Sequence, residues 1–140
     1  MASKKKEVNI SDAAYVAGLF DGEGSVYFKR MKQKKHQRPG KPIHNVMVIR
    51  MEISMTDKSV LEWVWETTGV GAFGPKKVKE GYKPQWRWRA AHRDALKVCK
   101  ELWPFAQTKL HKIEQIIDYY DPEYSDHNVV SLEDYRDEKR

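Results

Sequence analysis

Residues 44–54, HNVMVIRMEIS, constrain the fold more than any other stretch of the chain. Met47, Ile49, Met51 and Ile53 alternate there with Val46, Val48, Arg50 and Glu52. Successive side chains on a strand point to opposite faces, so this segment requires a sheet with one face against a core and the other open to water. SVYFKR (25–30) repeats the pattern, setting Val26 and Phe28 against Tyr27 and Lys29. AFGPKKVK (72–79) and QWRWRAA (85–91), joined by EGYKP, read as a hairpin. In its second strand Trp86 and Trp88 alternate with Gln85, Arg87 and Arg89.

Helical signals fill the intervals. Ser11-Asp12 offers an N-cap for AAYVAGLF, which Gly22 and Gly24 end. Thr56-Asp57 caps KSVLEWVWETT, with Val60, Leu61, Val64 and Trp65 on its apolar stripe and Gly69-Val70-Gly71 as its stop. A third helix starts near Arg93 and runs to Pro104, and a fourth spans about Gln107 to Tyr119. The order α-β-β-α-β-β-α-α predicts a single α+β domain, a four-stranded antiparallel sheet with helices on one face. That domain is expected over 11–120. A basic tail (1–10) precedes it and an acidic tail (121–140), with a short helical pattern at SLEDYRDEKR, follows.

The face left uncovered would show Tyr27, Lys29, Arg50, Glu52, Lys76, Gln85, Arg87 and Arg89, five of them basic. Such long side chains with planar or branching donors and acceptors suit the base edges of a major groove. The charge of the chain agrees. It carries 26 Lys+Arg against 20 Asp+Glu, a net of +6. From Asp118 onward there are eight acids and three bases, so residues 1–117 hold 23 bases against 12 acids, a net of +11. A domain this basic has the electrostatic footprint of a polyanion binder, although charge alone does not separate DNA from RNA. The five tryptophans (63, 65, 86, 88 and 103) fall mostly on apolar faces and read as core. A single cysteine, Cys99, rules out an internal disulfide framework and leaves no CxxC pair for structural zinc. No run of eighteen apolar residues and no apolar leader occurs, so neither membrane insertion nor secretion is expected. The expected setting is cytoplasmic, organellar or nucleoid-associated.

The sharpest local signal is VAGLFDGEG (16–24), a helix ending in two acids among glycines. Ala14, Ala17 and Gly18 follow i, i+3, i+4 spacing, a small-residue face that another helix could approach closely. Gly22 and Gly24 allow a tight exit, with Glu23 pointing away from the core. Asp21 and Glu23 sit at the unfavourable end of the helix dipole, where a divalent cation is the natural compensation.

This segment resembles the LAGLIDADG motif of homing endonucleases and intron maturases. Ala17, Gly18, Leu19, Asp21 and Gly24 stand as in the motif, and Phe20 and Glu23 are mild variants. The strand order, the stretch 57–71 and LWPFAQTKLHK (102–112) resemble the same family in the same order, so the likeness covers about 11–117. It implies a saddle-like αββαββα fold and, with one motif in a half-length chain, a homodimer on a near-palindromic double-stranded DNA site. The motif helices would pack about a two-fold axis through Ala14, Ala17, Gly18 and Asp21. Glu23 and the Gly22 carbonyl would hold Mg²⁺ for phosphodiester hydrolysis, and Lys109, five residues after Pro104, would be the active-site lysine. Two positions depart from the family pattern. Met55 occupies the place of a polar, water-ordering residue, leaving Ser54 or Thr56 for that task, and Ser59 falls where some members carry a base.

Three rivals remain. A maturase would share the fold and act on intron RNA. A non-catalytic DNA-binding regulator would have no use for an acid at the helix base. An HNH-type nuclease is suggested only by His44-Asn45 and His127-Asn128, without the spaced third ligand. His36, His92 and His111 read as surface or phosphate-contacting residues.

Overall fold

In the computed structural model, residues 8–32 and 45–124 are described. The expected tails up to residue 7 and beyond 124, the loop 33–44, and with them His36, His44 and the His127-Asn128 pair, lie outside the described residues. The chain runs α1 (Ile10–Glu23), β1 (Gly24–Lys32), β2 (Asn45–Met55), α2 (Lys58–Thr68), β3 (Ala72–Lys76), β4 (Gln85–Ala91), α3 (Arg93–Leu102) and α4 (Leu110–Tyr120). The four strands form one antiparallel sheet of order β1-β2-β4-β3, with β1 paired along its whole length to residues 45–53 of β2.

The alternation in β2 sorts its residues as its period requires. Ile49, Met51 and Ile53 are fully buried, and Val26 and Phe28 of β1 and Trp88 of β4 lie beside or within the same core. Each such side chain contributes about 1.5–3 kcal/mol through burial. Helices supply the other wall: α3 packs on α4, α1 and β4, and α2 packs on β4, β2 and β3. Cys99 on α3 is buried among these apolar groups, which pushes its thiol far above the ordinary range and leaves it inert. No helix among the described residues is long and apolar enough to cross a membrane.

Several helix boundaries differ from the sequence reading. Asn9, not Ser11-Asp12, caps α1, its side-chain oxygen accepting from the Asp12 N–H at 2.8 Å. The helix runs through Gly22 and stops at Glu23. Trp65 leaves the apolar stripe of α2 and is 40% exposed, because its indole N–H donates to the Gly71 carbonyl and its ring stacks on Phe73 at 6.0 Å. The Trp88 indole takes the neighbouring Val70 carbonyl at 3.1 Å, so two tryptophans anchor the turn that leads into β3. The fourth helix starts at Leu110, three residues later than Gln107, for a reason that belongs to the site. Residues 121–124 of the expected tail pack back on the body: Asp121 pairs with Lys100 at 2.9 Å and Tyr124 meets Trp103 edge-on at 5.5 Å.

The junction between α1 and β1 depends on a glycine. A Cβ on Gly24 would run into the ring of Phe20, which is itself fully buried and has nowhere to move. Gly24→Ala should cost about 1–3 kcal/mol by overpacking, read as a lower denaturant midpoint with an unchanged slope.

A candidate nucleic-acid interface and active centre

The strand register puts the eight polar residues of the open face on one side of the sheet. Ser25, Glu52, Arg89 and Ala72 form one row across β1, β2, β4 and β3, and Tyr27 with Arg50 forms the next. Ser54, Arg87 and Gly74 lie in the row on the other side, followed by Gln85 with Lys76. Lys29 stands opposite Val48. Arg50 lies over the ring of Tyr27 at 4.6 Å, which keeps both side chains low on the face. Glu52 accepts from Arg89 Nε at 3.0 Å and Nη2 at 2.9 Å, and Arg87 Nε lies 3.8 Å away. The Ser54 hydroxyl donates to the second Glu52 oxygen at 3.4 Å and accepts from Lys76 Nζ at 3.4 Å. One carboxylate thus gathers two arginines directly and a lysine through a hydroxyl.

The same face carries features the sequence reading passed over. Met31 and Val46 pair directly at its far end and are 43% and 37% exposed, an apolar patch on an otherwise polar surface. Lys79 and Tyr82 line a recess at the hairpin end beside Lys76 and Gln85. The density of lysine in KKVKEGYK was the signal available for the second of these.

At the end of α1 two acids meet different fates. The Asp21 carboxylate accepts from the backbone N–H of Gln107 at 2.8 Å and of Lys109 at 2.9 Å, the turn that opens α4. Its position is unfavourable for the dipole of α1 but favourable for that of α4, since both N–H groups it holds lie in the turn just before Leu110. This is why residues 107–109 form a turn and the helix begins only at Leu110. It also corrects the sequence reading of Asp21: its compensation is a second helix start within its own chain, and its carboxylate is committed inward. Lys109 is half-buried at this joint, its Nζ reaching the Asp21 carbonyl at 3.4 Å. Glu23, two residues on, is exposed, and no hydrogen bond or ion pair holds its carboxylate among the described residues. The Gly22 carbonyl is among the last four of α1, which lack partners within the helix.

The proposed small-residue face also needs correction. Ala17 is 1% exposed and belongs to the core with Ala13, Val16 and Phe20, since i, i+3, i+4, i+7 spacing turns all four toward the sheet and α3. The outer face of α1 shows Ala14, Gly18 and Gly22 instead, and a Cβ at either glycine would meet nothing within 4 Å. His92 and His111 are exposed, as read from sequence. Met55 is partly buried against the core and cannot order solvent, whereas Ser54 is on the open face.

A single side chain holding two N–H groups across 86 residues predicts a sharp response. In Asp21→Asn one acceptor becomes a donor facing an N–H, which should cost about 1–3 kcal/mol. Amide exchange at Gln107 and Lys109 should quicken well before the rest of the protein opens. Unchanged protection at both amides would show that Asp21 does not hold this turn.

No sequence family and no curated protein matches the chain. Comparison with solved structures gives 85 matching chains. The homing endonuclease I-CvuI in complex with its target, in the presence of Ca, has a TM-score of 0.56 and 14% identity over 81% of this chain and 72% of its own. The archaeal intron-encoded homing endonuclease I-Vdi141I complexed with DNA gives 0.58 and 18%, over 76% of this chain and 64% of its own. The group I intron-encoded homing endonuclease I-CeuI complexed with DNA gives 0.57 and 14%, over 92% and 67%. The αββαββα core with its open antiparallel sheet is therefore the LAGLIDADG homing-endonuclease fold.

Proposed function

We propose that this chain is a LAGLIDADG homing endonuclease subunit that pairs with a second copy on a long, near-palindromic duplex and cuts both strands by metal-dependent hydrolysis. The contrast between Asp21 and Glu23 carries the reading. Both acids lie in the unfavourable field at the end of α1, but among the described residues only Asp21 is satisfied. An exposed, uncommitted carboxylate beside a basic sheet is a liability against phosphate unless a cation accompanies it. The donor set fits a hard divalent ion such as Mg²⁺: the Glu23 carboxylate and the Gly22 carbonyl are oxygen ligands. No group of three potential His, Cys, Asp or Glu ligands occurs among the described residues, so a second subunit and DNA phosphate oxygens would have to supply the remaining ligands. Bound there, the ion would supply activation of water and neutralisation of the leaving 3′ oxygen.

The remaining tasks fall to the chain itself. Lys109, whose Nζ reaches the Asp21 carbonyl at the joint of α1 and α4, would stabilise charge developing on the scissile phosphate. The open sheet face would lie in the major groove of each half-site, and a dimer would span about two turns, roughly 20 bp. The seam between copies is the outer face of α1. Glycine inside a helix costs about 0.5–1 kcal/mol relative to alanine, and at Gly18 no contact among the described residues requires it. A helix from a second copy packed against Ala14, Gly18 and Gly22 would account for it and would draw the two Glu23 carboxylates together.

Two measurements test this. Glu23→Gln keeps size and removes charge. It should abolish cleavage of a duplex site while leaving binding intact or tighter, and Lys109→Ala should slow cutting without loss of binding. Cutting should need Mg²⁺, weaken sharply in Ca²⁺ and stop in EDTA. Full cleavage by Glu23→Gln, or wild-type cleavage in EDTA, would remove the metal mechanism. A protein that binds its site but never cuts would instead support a regulator or maturase. Gly18→Leu should stay folded yet lose dimer and activity together in sedimentation and cleavage assays; a stable monomer that cuts both strands would contradict the paired assembly.

A further inference from the structure

We infer that Glu52 is a positioning residue that presets Arg89 as a guanine reader, so that the row Ser25-Glu52-Arg89 selects a G·C pair at one symmetric pair of positions. This rests on the open face being the DNA surface and adds to it a division of labour between a carboxylate and an arginine. Arg89 gives Nε and Nη2, one edge of its guanidinium, to a single oxygen of Glu52 at 3.0 and 2.9 Å. The opposite edge keeps two parallel N–H donors. In the major groove only guanine presents two acceptors, N7 and O6, side by side for such a pair. The Glu52 side chain is 20% exposed and that of Arg89 33%, so the clamp is set into the sheet while the arginine still reaches out of it. The surface next to Arg89 is low: its β3 neighbour is Ala72, and a Cβ at Gly74, the neighbour of Arg87, would meet nothing within 4 Å. Neither β3 neighbour carries a bulky side chain to stand between these arginines and a base edge. A carboxylate on a face that meets phosphate weakens binding, and its hold on both arginines gives it a use that outweighs this. An arginine already fixed in its reading pose loses less freedom on contact.

The test starts from selection of bound sequences out of a random duplex DNA pool. Wild-type protein should enrich a guanine at one symmetric pair of positions, and replacing that base by 7-deazaguanine, which lacks N7 but still pairs, should weaken binding roughly 10-fold. Arg89→Lys keeps the charge and loses the fork. It should lose both the preference and the 7-deaza penalty, while overall salt dependence stays near that of wild type. Glu52→Ala should blur the same position and no other, while binding random duplex as tightly as wild type or tighter. A merely structural Glu52 would instead lower affinity at every position and the melting temperature with it. If Glu52→Ala retains the guanine preference and the 7-deaza penalty, the positioning role is wrong. If Arg89→Lys retains them, another side chain reads the base and the proposal falls. Failure of the DNA reading itself would look different: wild-type protein would enrich no sequence at all, and the inference would fall with it.

Discussion

A helix accumulates partial negative charge at its C-terminal end, and α1 places two carboxylates there within three residues. The rest of the site depends on how that conflict is resolved. Asp21 turns inward and caps the opening of α4, converting an unfavourable position on one helix into a favourable one on another. This pins the α3–α4 turn to the base of α1 and brings Lys109 to the same spot. Glu23 has no such resolution within the described residues and faces solvent at the first residues of the sheet. One acid builds the joint and the other is left available, so the same local field explains both the architecture and the chemical opportunity.

The second constraint is the double duty of α1. Its inner face, Ala13, Val16, Ala17 and Phe20, is part of the core against the sheet and α3. On its outer face, with Ala14, a Cβ at Gly18 or Gly22 would meet nothing within 4 Å among the described residues. Gly24 then lets the chain turn directly from the helix into β1 over the ring of Phe20. A compact exit of this kind keeps Glu23 two residues from Ser25 on the open face and gives the acid and the basic sheet a fixed relation.

The sheet was legible in sequence because a period of two leaves little choice: once Ile49, Met51 and Ile53 face inward, Arg50 and Glu52 must face outward, and the register carries Arg87 and Arg89 to the same side. Burial within α1 was less legible. Ala14, Ala17 and Gly18 are all small, and spacing alone does not reveal that Val16 and Phe20 roll Ala17 into the core. The start of α4 was misplaced because its decisive partner, Asp21, is 86 residues away from Gln107 and no local pattern announces it. Trp65 read as core because an apolar stripe at helical spacing normally is; its indole N–H, bound to the Gly71 carbonyl, holds it at the edge instead. The Glu52 cluster lies across three strands and emerges only with the register.

In the proposed assembly two copies meet at the outer face of α1 while its inner face holds the fold. A cysteine in place of Ala14 tests it directly, since the native Cys99 is buried and silent toward oxidants. Disulfides require close Cα atoms and aligned Cβ vectors, so cross-linking reports on the seam itself. With two copies paired there, Ala14→Cys, oxidised at equilibrium with duplex DNA, should form a covalent dimer that still binds and cuts its site. Failure to cross-link under conditions where the protein cuts both strands, or a covalent dimer unable to bind DNA, would contradict it.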